Sequence, residues 1–339
     1  MISQTYRLFS PRQIRVDLVD EVINENDIIV RPTYLSICAA DQRYYTGRRD
    51  KEVLKKKLPM ALIHEAVGEV IYDPIGKISV GTKVVMIPNT PVEKDDVIKE
   101  NYLRSSHFKS SGYDGFMRSL VVMDRNRVIP YYNVEDRTAV LLELMSVAMN
   151  ALEHFDHYSH LKKQTIGIWG DGNVGFATAL VLKYTFPNAK IVVMGTTLEK
   201  LNYFQFADEV HLITELPDNF NVDHAFECVG GQYSGDAINQ IIDYINPEGS
   251  IALMGVSETN VPINTRMVLE KGLTILGNSR SGYEDFSASI EFLEKFPKAK
   301  EYLNTIISDE VVVRRIKDIR DAFDRDLNNE FKTVMKGEV

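Results

Sequence analysis

Cysteine is almost absent from this sequence, which contains only Cys38 and Cys228 among its 339 residues. Two cysteines cannot build the several bridges that stabilise a disulfide-rich secreted protein, so the chain must depend on hydrophobic cores. We expect two reduced thiols and a cytoplasmic location, with a single Cys38–Cys228 bridge as the alternative. Cys228 lies in the apolar segment AFECVG, where a thiol usually packs in a core.

Basic residues are not in excess, and long apolar runs are missing. The formal net charge is −9, whereas nucleic-acid binding needs a basic surface. The most apolar stretch, 138–152, is shorter than the roughly 18 residues that span a bilayer, and Glu143 interrupts it. The N-terminal segment has no apolar core of the kind found in signal peptides. We therefore expect neither a nucleic-acid partner nor a membrane partner.

The apolar segments predict two domains of the α/β class. Up to about residue 148 the chain reads as short strands separated by turns, as in DIIVRPTYLSI and TKVVMIP. The segment DRTAVLLELMSVAMNALEHF then has helical periodicity, with Asp136 as the expected N-cap. From Gln164 onward strands such as TIGIWG and KIVVMG alternate with helices, which predicts a parallel sheet of βαβ units.

A glycine motif follows the first of these parallel strands. TIGIWG leads into Gly170-x-Gly172-x-x-Gly175, with Asn173 and Val174 inside the motif and a helix after it. Such glycines allow a tight turn, close approach of the backbone to a pyrophosphate, and helix–strand packing. The helix N-terminus then offers N–H groups to the phosphates. We predict a dinucleotide site; the alternative is a structural Gly-rich turn.

The end of the next strand indicates which dinucleotide binds. Sites that prefer NADH place Asp or Glu there to hold the ribose 2′-hydroxyl. Here the position is Gly195, followed by Thr196, Thr197 and Lys200, which leave room and add positive charge for a 2′-phosphate. We therefore expect NADPH. The alternative is that these residues only cap a helix and face water.

Four potential metal ligands lie far apart in the sequence: Cys38, His64, Glu65 and Glu143. Zinc takes thiolate, imidazole and carboxylate ligands, and a catalytic zinc keeps one position open. Residue chemistry alone favours a plainer interpretation, with a core thiol and solvated carboxylates. Glu143 is the exception, because a charge inside VLLELMSV is costly unless it is paired or bound to a metal.

Four segments together carry a family resemblance: SICAADQRYYTG, LIHEAVGEV, VLLELMSVAMNAL and GIWGDGNVG. In this order and spacing they resemble the zinc-dependent medium-chain dehydrogenase/reductase family over nearly the whole chain. The resemblance implies a GroES-like catalytic domain from 1–148 and 286–339, and a Rossmann NADP-binding domain from 149–285. It also implies one catalytic zinc at Cys38, His64, Glu65 and Glu143, with Asp41 as a partner that orients a ligand.

The sequence departs from the family pattern at two places. The stretch PNTPVEKDDVIKENYLRSSHFKSSG has no cysteine where many members bind a structural zinc, so we expect no structural zinc. Many members also carry Ser or Thr two residues after the motif cysteine to pass a proton, and here that residue is Ala40. Glu65, acting through water, is our expected replacement, with Tyr44 and Tyr45 as weaker candidates.

Basic residues are concentrated between and after the first two motifs. Positive groups beside a pocket attract and hold anions, which suits a phosphorylated sugar. The alternative for each residue is a solvated loop. The candidates for binding a substrate phosphate are Arg43, Arg48, Arg104, His107 and Lys109.

Within the family, the combination of these motifs, the absent cysteines and the acid-free MGTT turn resembles the ribulose-5-phosphate reductases most. This resemblance implies NADPH-dependent reduction of D-ribulose 5-phosphate to D-ribitol 5-phosphate, feeding CDP-ribitol for teichoic acid or capsule. It further implies a homodimer and functional coupling to a ribitol-5-phosphate cytidylyltransferase. The alternatives are a reductase of an unphosphorylated polyol or amino alcohol, and a non-catalytic NADPH-binding protein of the crystallin kind.

Overall fold

The structure is a computed structural model that describes residues 1–337, and backbone contacts divide it into two units. One unit contains Met1–Glu143 and the chain from Ser281 onward, and the other contains Leu144–Arg280. The boundaries expected from the sequence were 148/149 and 285/286. None of the helices within 1–337 has both the length and the apolar character that crossing a bilayer requires.

The first 158 residues contain ten strands and four helices: β1 (Ile2–Ser10), β2 (Gln13–Asp20), β3 (Asp27–Ser36), α1 (Ala39–Tyr45), α2 (Lys51–Lys57), β4 (Met60–Ala61), β5 (Glu65–Tyr72), β6 (Lys83–Met86), β7 (Asn89–Thr90), β8 (His107–Phe108), β9 (Val121–Asp124), β10 (Val128–Pro130), α3 (Asp136–Ala139) and α4 (Leu142–Tyr158).

The remaining described residues alternate strands and helices: β11 (Thr165–Trp169), α5 (Asn173–Thr185), β12 (Lys190–Gly195), α6 (Leu198–Leu201), β13 (Glu209–Leu212), β14 (His224–Glu227), α7 (Ser234–Tyr244), β15 (Ser250–Leu253), α8 (Thr265–Glu270), β16 (Thr274–Gly277), α9 (Tyr283–Lys295), α10 (Pro297–Thr305), β17 (Ile307–Val313), α11 (Ile316–Asp326) and β18 (Lys332–Gly337).

The unit that contains the N-terminus is built on a seven-stranded sheet. Its order is β10-β6-β5-β3-β18-β17, and β9 also pairs with β3. A smaller sheet, β2-β1-β4, lies in the same unit. Buried Tyr45, Phe323 and Met335 belong to one hydrophobic core, so α1, α11 and β18 pack together. The β-rich GroES-like architecture predicted for this part of the chain is confirmed.

The other unit is a six-stranded sheet in which every pairing is parallel. The strand order is β13-β12-β11-β14-β15-β16. Such a sheet needs crossover helices on its faces, and α5 and α7 supply buried faces for it. The Rossmann-type fold predicted from the alternation of strands and helices is confirmed.

The helix predicted to start at Asp136 is divided into α3 and α4. The N-cap of α3 is Glu135, and its side chain makes no capping bond. Asp136 instead accepts a hydrogen bond from Tyr131 Oη at 2.9 Å and pairs with Lys83 at 2.8 Å. The expected N-cap was therefore wrong by one residue, because Tyr131, directly after β10, and Lys83 of β6 bind the carboxylate.

Candidate active site

Strand pairing around the end of β3 builds the site. Ser36, the last residue of β3, pairs with Glu65 of β5 on one side and with Val334 of β18 on the other. The chain then leaves the sheet, and Cys38 immediately precedes α1. Because β3 lies between the other two strands, Cys38, Glu65 and Lys332 are brought together from positions far apart in the sequence.

Cys38, His64 and Glu65 form a compact cluster of potential metal ligands. One ligand atom from each residue lies within 4.8 Å of the others. His64 and Glu65 are buried, and Cys38 is partly exposed. No second group of this kind occurs in residues 1–337. Three of the four ligands predicted from the sequence thus meet at one place.

Asp41 holds the histidine of this cluster. Its Oδ2 lies 3.5 Å from His64 Nδ1, while its Oδ1 accepts from Ser110 Oγ at 2.6 Å and from the Ile63 amide at 3.0 Å. Burial disfavours the charged carboxylate, but His64 and these hydrogen bonds outweigh it and lower the pKa of Asp41. Asp41 therefore stays ionised and can fix the orientation of the imidazole.

Glu65 is paired with a buried lysine. Lys332 Nζ donates to Glu65 Oε1, and the side chains are 2% and 1% exposed. Lys332 Nζ also donates to the Ile37 carbonyl at 3.3 Å. Burial disfavours the ammonium, but Glu65 and Cys38 outweigh it and raise the pKa of Lys332. This lysine was not predicted from the sequence, where its signal was a charge next to the apolar residues of FKTVMKG.

The second oxygen of the same carboxylate is unsatisfied. Glu65 Oε2 is buried and has no hydrogen-bond partner among residues 1–337. A buried carboxylate oxygen without a partner is costly, so such an atom calls for a ligand, an ion or water. This observation supports a cation beside Glu65.

Glu143 lies near the cluster but is not one of its three members. It is 6% exposed, at the start of α4. Burial, opposed by His64 and reinforced by Glu65, raises the pKa of Glu143 to about 7. Its assignment as a zinc ligand stays a prediction.

The donor set fits zinc. A thiol, an imidazole and a carboxylate are the side chains that bind this ion in proteins, and Asp41 supplies the usual outer partner of a ligand histidine. Acidic side chains outnumber the one buried lysine here, so a dication would balance the charge.

Tyr45, a weaker proton-relay candidate, is 1% exposed, and its ring stacks on that of Phe323 with the centroids 4.6 Å apart.

The glycine motif has the shape that a dinucleotide requires. Gly170 has φ +131°, a conformation that L side chains rarely adopt. A Cβ at Gly175 would lie 1.9 Å from the Gly170 carbonyl oxygen, so α5 packs closely on the strand end. A Cβ at Gly172 would meet no atom within 4 Å, which leaves open space above this residue. Asn173, the first residue of α5, has a buried Oδ1 without a partner in residues 1–337.

A carboxylate does reach the turn after β12, but it comes from the glycine motif. Asp171 Oδ2 accepts from the amides of Thr196 at 2.8 Å and Thr197 at 3.0 Å. A Cβ on Gly195 would lie 2.6 Å from this oxygen, so Gly195 leaves room for Asp171. Thr196 is exposed, and Lys200 is half-buried on α6. Asp171 was not predicted from the sequence, because it lies in the glycine motif and not at the end of β12.

The five basic residues predicted to hold a phosphate are in different environments. Arg48 and Arg104 are exposed, and Arg43 is half-buried on α1. His107 stacks on Tyr113 with ring centroids 4.1 Å apart. Lys109 is half-buried; burial, reinforced by Arg118, lowers its pKa. Their role in phosphate binding stays a prediction.

Two family models match the chain in agreement with this geometry. The model described as alcohol dehydrogenase GroES-like domain matches residues 24–133, and the model described as zinc-binding dehydrogenase matches residues 197–295.

Full-length relatives are also similar. The chain is 50% identical to a ribulose-5-phosphate reductase of Bacillus spizizenii, with 100% of both chains covered. It is 52% identical to ribulose-5-phosphate reductase 2 of Staphylococcus aureus, with 99% of both covered. The crystal structure of S. aureus TarJ in complex with NADPH superposes with a TM-score of 0.90 at 45% identity, covering all of both chains.

Proposed function

Given that this chain belongs to the ribulose-5-phosphate reductase branch of the zinc-dependent medium-chain dehydrogenases, we propose that it reduces D-ribulose 5-phosphate to D-ribitol 5-phosphate with NADPH. The observation that carries the proposal is the Cys38–His64–Glu65 cluster in a chain that is 50% identical, over its full length, to such a reductase. The product would feed CDP-ribitol synthesis for teichoic acid or capsule.

Cys38 and His64 would hold the zinc, with Glu65 or Glu143 as the carboxylate ligand. Zinc bound there supplies Lewis acidity, which stabilises negative charge as it develops on the carbonyl oxygen. Asp41 keeps His64 oriented through the contact to Nδ1. Interactions of this kind accelerate the reaction because they are strongest in the transition state.

The proton for the product hydroxyl needs a separate route, because Ala40 has no hydroxyl group. Glu65 is our candidate, acting through water. Lys332 occupies Oε1, so Oε2 is the atom that is left to hold a water molecule, through which a proton from solvent would reach the product oxygen. Lys332 thereby limits Glu65 to one usable oxygen.

NADPH would bind at the glycine motif. Open space above Gly172 and the N-terminus of α5 suit the pyrophosphate. Thr196, Thr197 and Lys200 would face the 2′-phosphate. Support comes from the relative TarJ, whose solved complex contains NADPH.

We further propose a cytoplasmic homodimer that works with a ribitol-5-phosphate cytidylyltransferase. Support for the dimer is the edge position of β16 in its sheet, together with Leu269, which is 82% exposed on the preceding helix α8. An edge strand with apolar neighbours can pair with a second copy. Sedimentation velocity would test this state: a single monomeric boundary at micromolar concentration contradicts it.

The test of the function is an assay of NADPH oxidation with ribulose 5-phosphate, D-ribulose and an amino ketone in parallel. We expect turnover of ribulose 5-phosphate, and at least a tenfold preference for it over D-ribulose, because a charge-assisted phosphate contact is worth about 1.5–3 kcal/mol. Equal rates with D-ribulose would indicate an unphosphorylated substrate. No turnover of any ketose by zinc-loaded protein would indicate a non-catalytic role.

A further inference from the structure

Two cations converge on the ring of Tyr44. The guanidinium carbon of Arg49 lies 4.9 Å from the ring centroid, and Lys57 Nζ lies 5.9 Å from it. Tyr44 itself is 2% exposed and belongs to α1, the helix that begins just after Cys38. Arg49 lies in the loop before α2 and Lys57 is the last residue of α2. The fold therefore brings these two charges to one place on α1.

Lys57 is held in position without a carboxylate. Its Nζ donates to Ser111 Oγ at 2.9 Å, and its stem passes Gly112, where a Cβ would lie 3.6 Å from Lys57 Cγ. Within residues 1–337 no Asp or Glu oxygen lies within 4.0 Å of this ammonium; its partners there are a hydroxyl and an aromatic ring. An ammonium has three donors, and the Ser111 bond uses one of them. The half-buried charge is thus available to an anion.

The turn that contains Ser111 also contacts His64, one of the potential metal ligands, and its partner Asp41. Ser110, the preceding residue, donates to Asp41, the partner of His64. Phe108 lies at the start of the same turn, with its ring centroid 5.5 Å from that of His64. Short side-chain contacts therefore connect the ligand histidine to the Lys57 ammonium. In a pentulose 5-phosphate, three carbon–carbon bonds separate the reacting C2 from C5, which carries the phosphate. The phosphate must therefore bind near the potential metal ligands.

We propose that Lys57, Ser111 and Arg49 bind the phosphate group of the substrate. An ammonium, a hydroxyl and a planar guanidinium are the donors that recognise a phosphate monoester. This subsite differs from the five residues predicted from sequence charge alone. The inference rests on the proposed function, because it assigns the phosphate of that substrate to specific residues.

The test compares Lys57→Met with Lys55→Met in the zinc-loaded enzyme with NADPH. Lys55 is exposed on the same helix, so its variant controls for a change in overall charge. We expect Lys57→Met to lower the ratio of kcat/KM for ribulose 5-phosphate to kcat/KM for D-ribulose by about 10- to 100-fold, mainly through KM. Lys57→Arg should restore part of this ratio, and Lys55→Met should leave it within about twofold.

An unchanged ratio in Lys57→Met, or an equal loss on both substrates, would overturn the subsite. Calorimetric titration separates this failure from failure of the proposed function. If wild-type protein does not reduce ribulose 5-phosphate, the function fails, and the subsite is judged by binding alone. Weaker binding of D-ribitol 5-phosphate by Lys57→Met than by Lys55→Met, with D-ribitol as the uncharged comparison, supports it; equal binding refutes it.

Discussion

Lys332 Nζ donates to Glu65 Oε1 at the group of potential metal ligands formed by Cys38, His64 and Glu65, and neither side chain is more than 2% exposed. The two residues lie 267 positions apart in the chain. The Lys332 ammonium gives the buried carboxylate an ion-pair partner that does not depend on a metal. It also leaves Oε2 as the atom that can face an ion or water.

Breaking this pair should destabilise the protein. Removal of one partner from a buried ion pair leaves an uncompensated charge and costs about 3–5 kcal/mol. We expect Lys332→Met to lower the free energy of unfolding by about this amount. Denaturant unfolding of the chelator-treated protein measures it without interference from the metal.

A double-mutant cycle provides the control. In Lys332→Met/Glu65→Gln no charge is left buried at this position, so most of the loss should be recovered. Additive losses in the double variant would show that the two side chains do not act as a pair.

Asp41→Asn should weaken zinc binding. Asp41 contacts His64 Nδ1 at 3.5 Å, and loss of such an orienting carboxylate typically costs 10- to 100-fold in metal affinity, which corresponds to about 1.4–2.7 kcal/mol. Competition with a chromophoric chelator measures the affinity. Ser110→Ala is the matched control, because it removes one bond to Asp41 but keeps the carboxylate. An affinity as low in Ser110→Ala as in Asp41→Asn would contradict the account.

Asp171→Asn should strengthen the preference for NADPH. The amide oxygen can still accept from Thr196 and Thr197, but the negative charge near the expected 2′-phosphate is removed. Because the two charges would interact near a partly exposed surface, we expect the binding free energy of NADPH to improve by about 1 kcal/mol, roughly a fivefold decrease in Kd. We would follow binding by the fluorescence of Trp169, the only tryptophan, which directly precedes Gly170. NADH is the control ligand, and an unchanged NADPH-to-NADH ratio would refute this role of Asp171.

His224→Asn should reduce the loss of stability that occurs as the pH falls from about 6.5 to about 4. His224 is fully buried, and its Nδ1 accepts from the Ser250 amide at 3.1 Å. Burial, with smaller effects of His160 and Lys163, lowers the pKa of His224 to about 4. In the unfolded chain this histidine has a pKa of about 6.5. Between about pH 6.5 and about pH 4 the unfolded state therefore binds more protons than the folded state, and stability falls as the pH drops through this range.

The asparagine oxygen can replace Nδ1 as an acceptor but does not titrate. The variant should therefore lose up to about 3 kcal/mol less stability over that pH range than the wild type, measured by urea unfolding at several pH values. His157→Asn, at an exposed position of α4, is the control and should retain the wild-type slope. Parallel profiles for all three proteins would contradict the prediction.

Local patterns predicted the parts of the fold that depend on local order. The alternation of strands and helices and the Gly170–Gly175 motif define the parallel sheet and its cofactor loop, because period and glycine spacing are properties of neighbouring residues. The N-cap of α3 was not predictable in this way, because the Asp136 carboxylate contacts Tyr131 and Lys83, which lie outside the helix.

The site was predicted less completely, for a related reason. Cys38, His64 and Glu65 were named through the family resemblance, and they do cluster. Lys332 and Asp171 were missed because each acts on a residue distant in sequence, through strand pairing in one case and across a turn in the other. Charge density in the sequence also pointed to Arg48 and Arg104, which are exposed, whereas Lys57 is half-buried against Tyr44.

We predict above all that Cys38 and His64, with Glu65 or Glu143 as the carboxylate ligand, hold the one zinc ion that the reduction requires. Elemental analysis of gently purified wild type and Cys38→Ser, with NADPH binding followed by Trp169 fluorescence, tests it most directly. We predict about one zinc per chain in the wild type, almost none in Cys38→Ser, loss of turnover, and unchanged NADPH affinity. Full turnover by Cys38→Ser, or by wild type stripped of metal, would contradict the account.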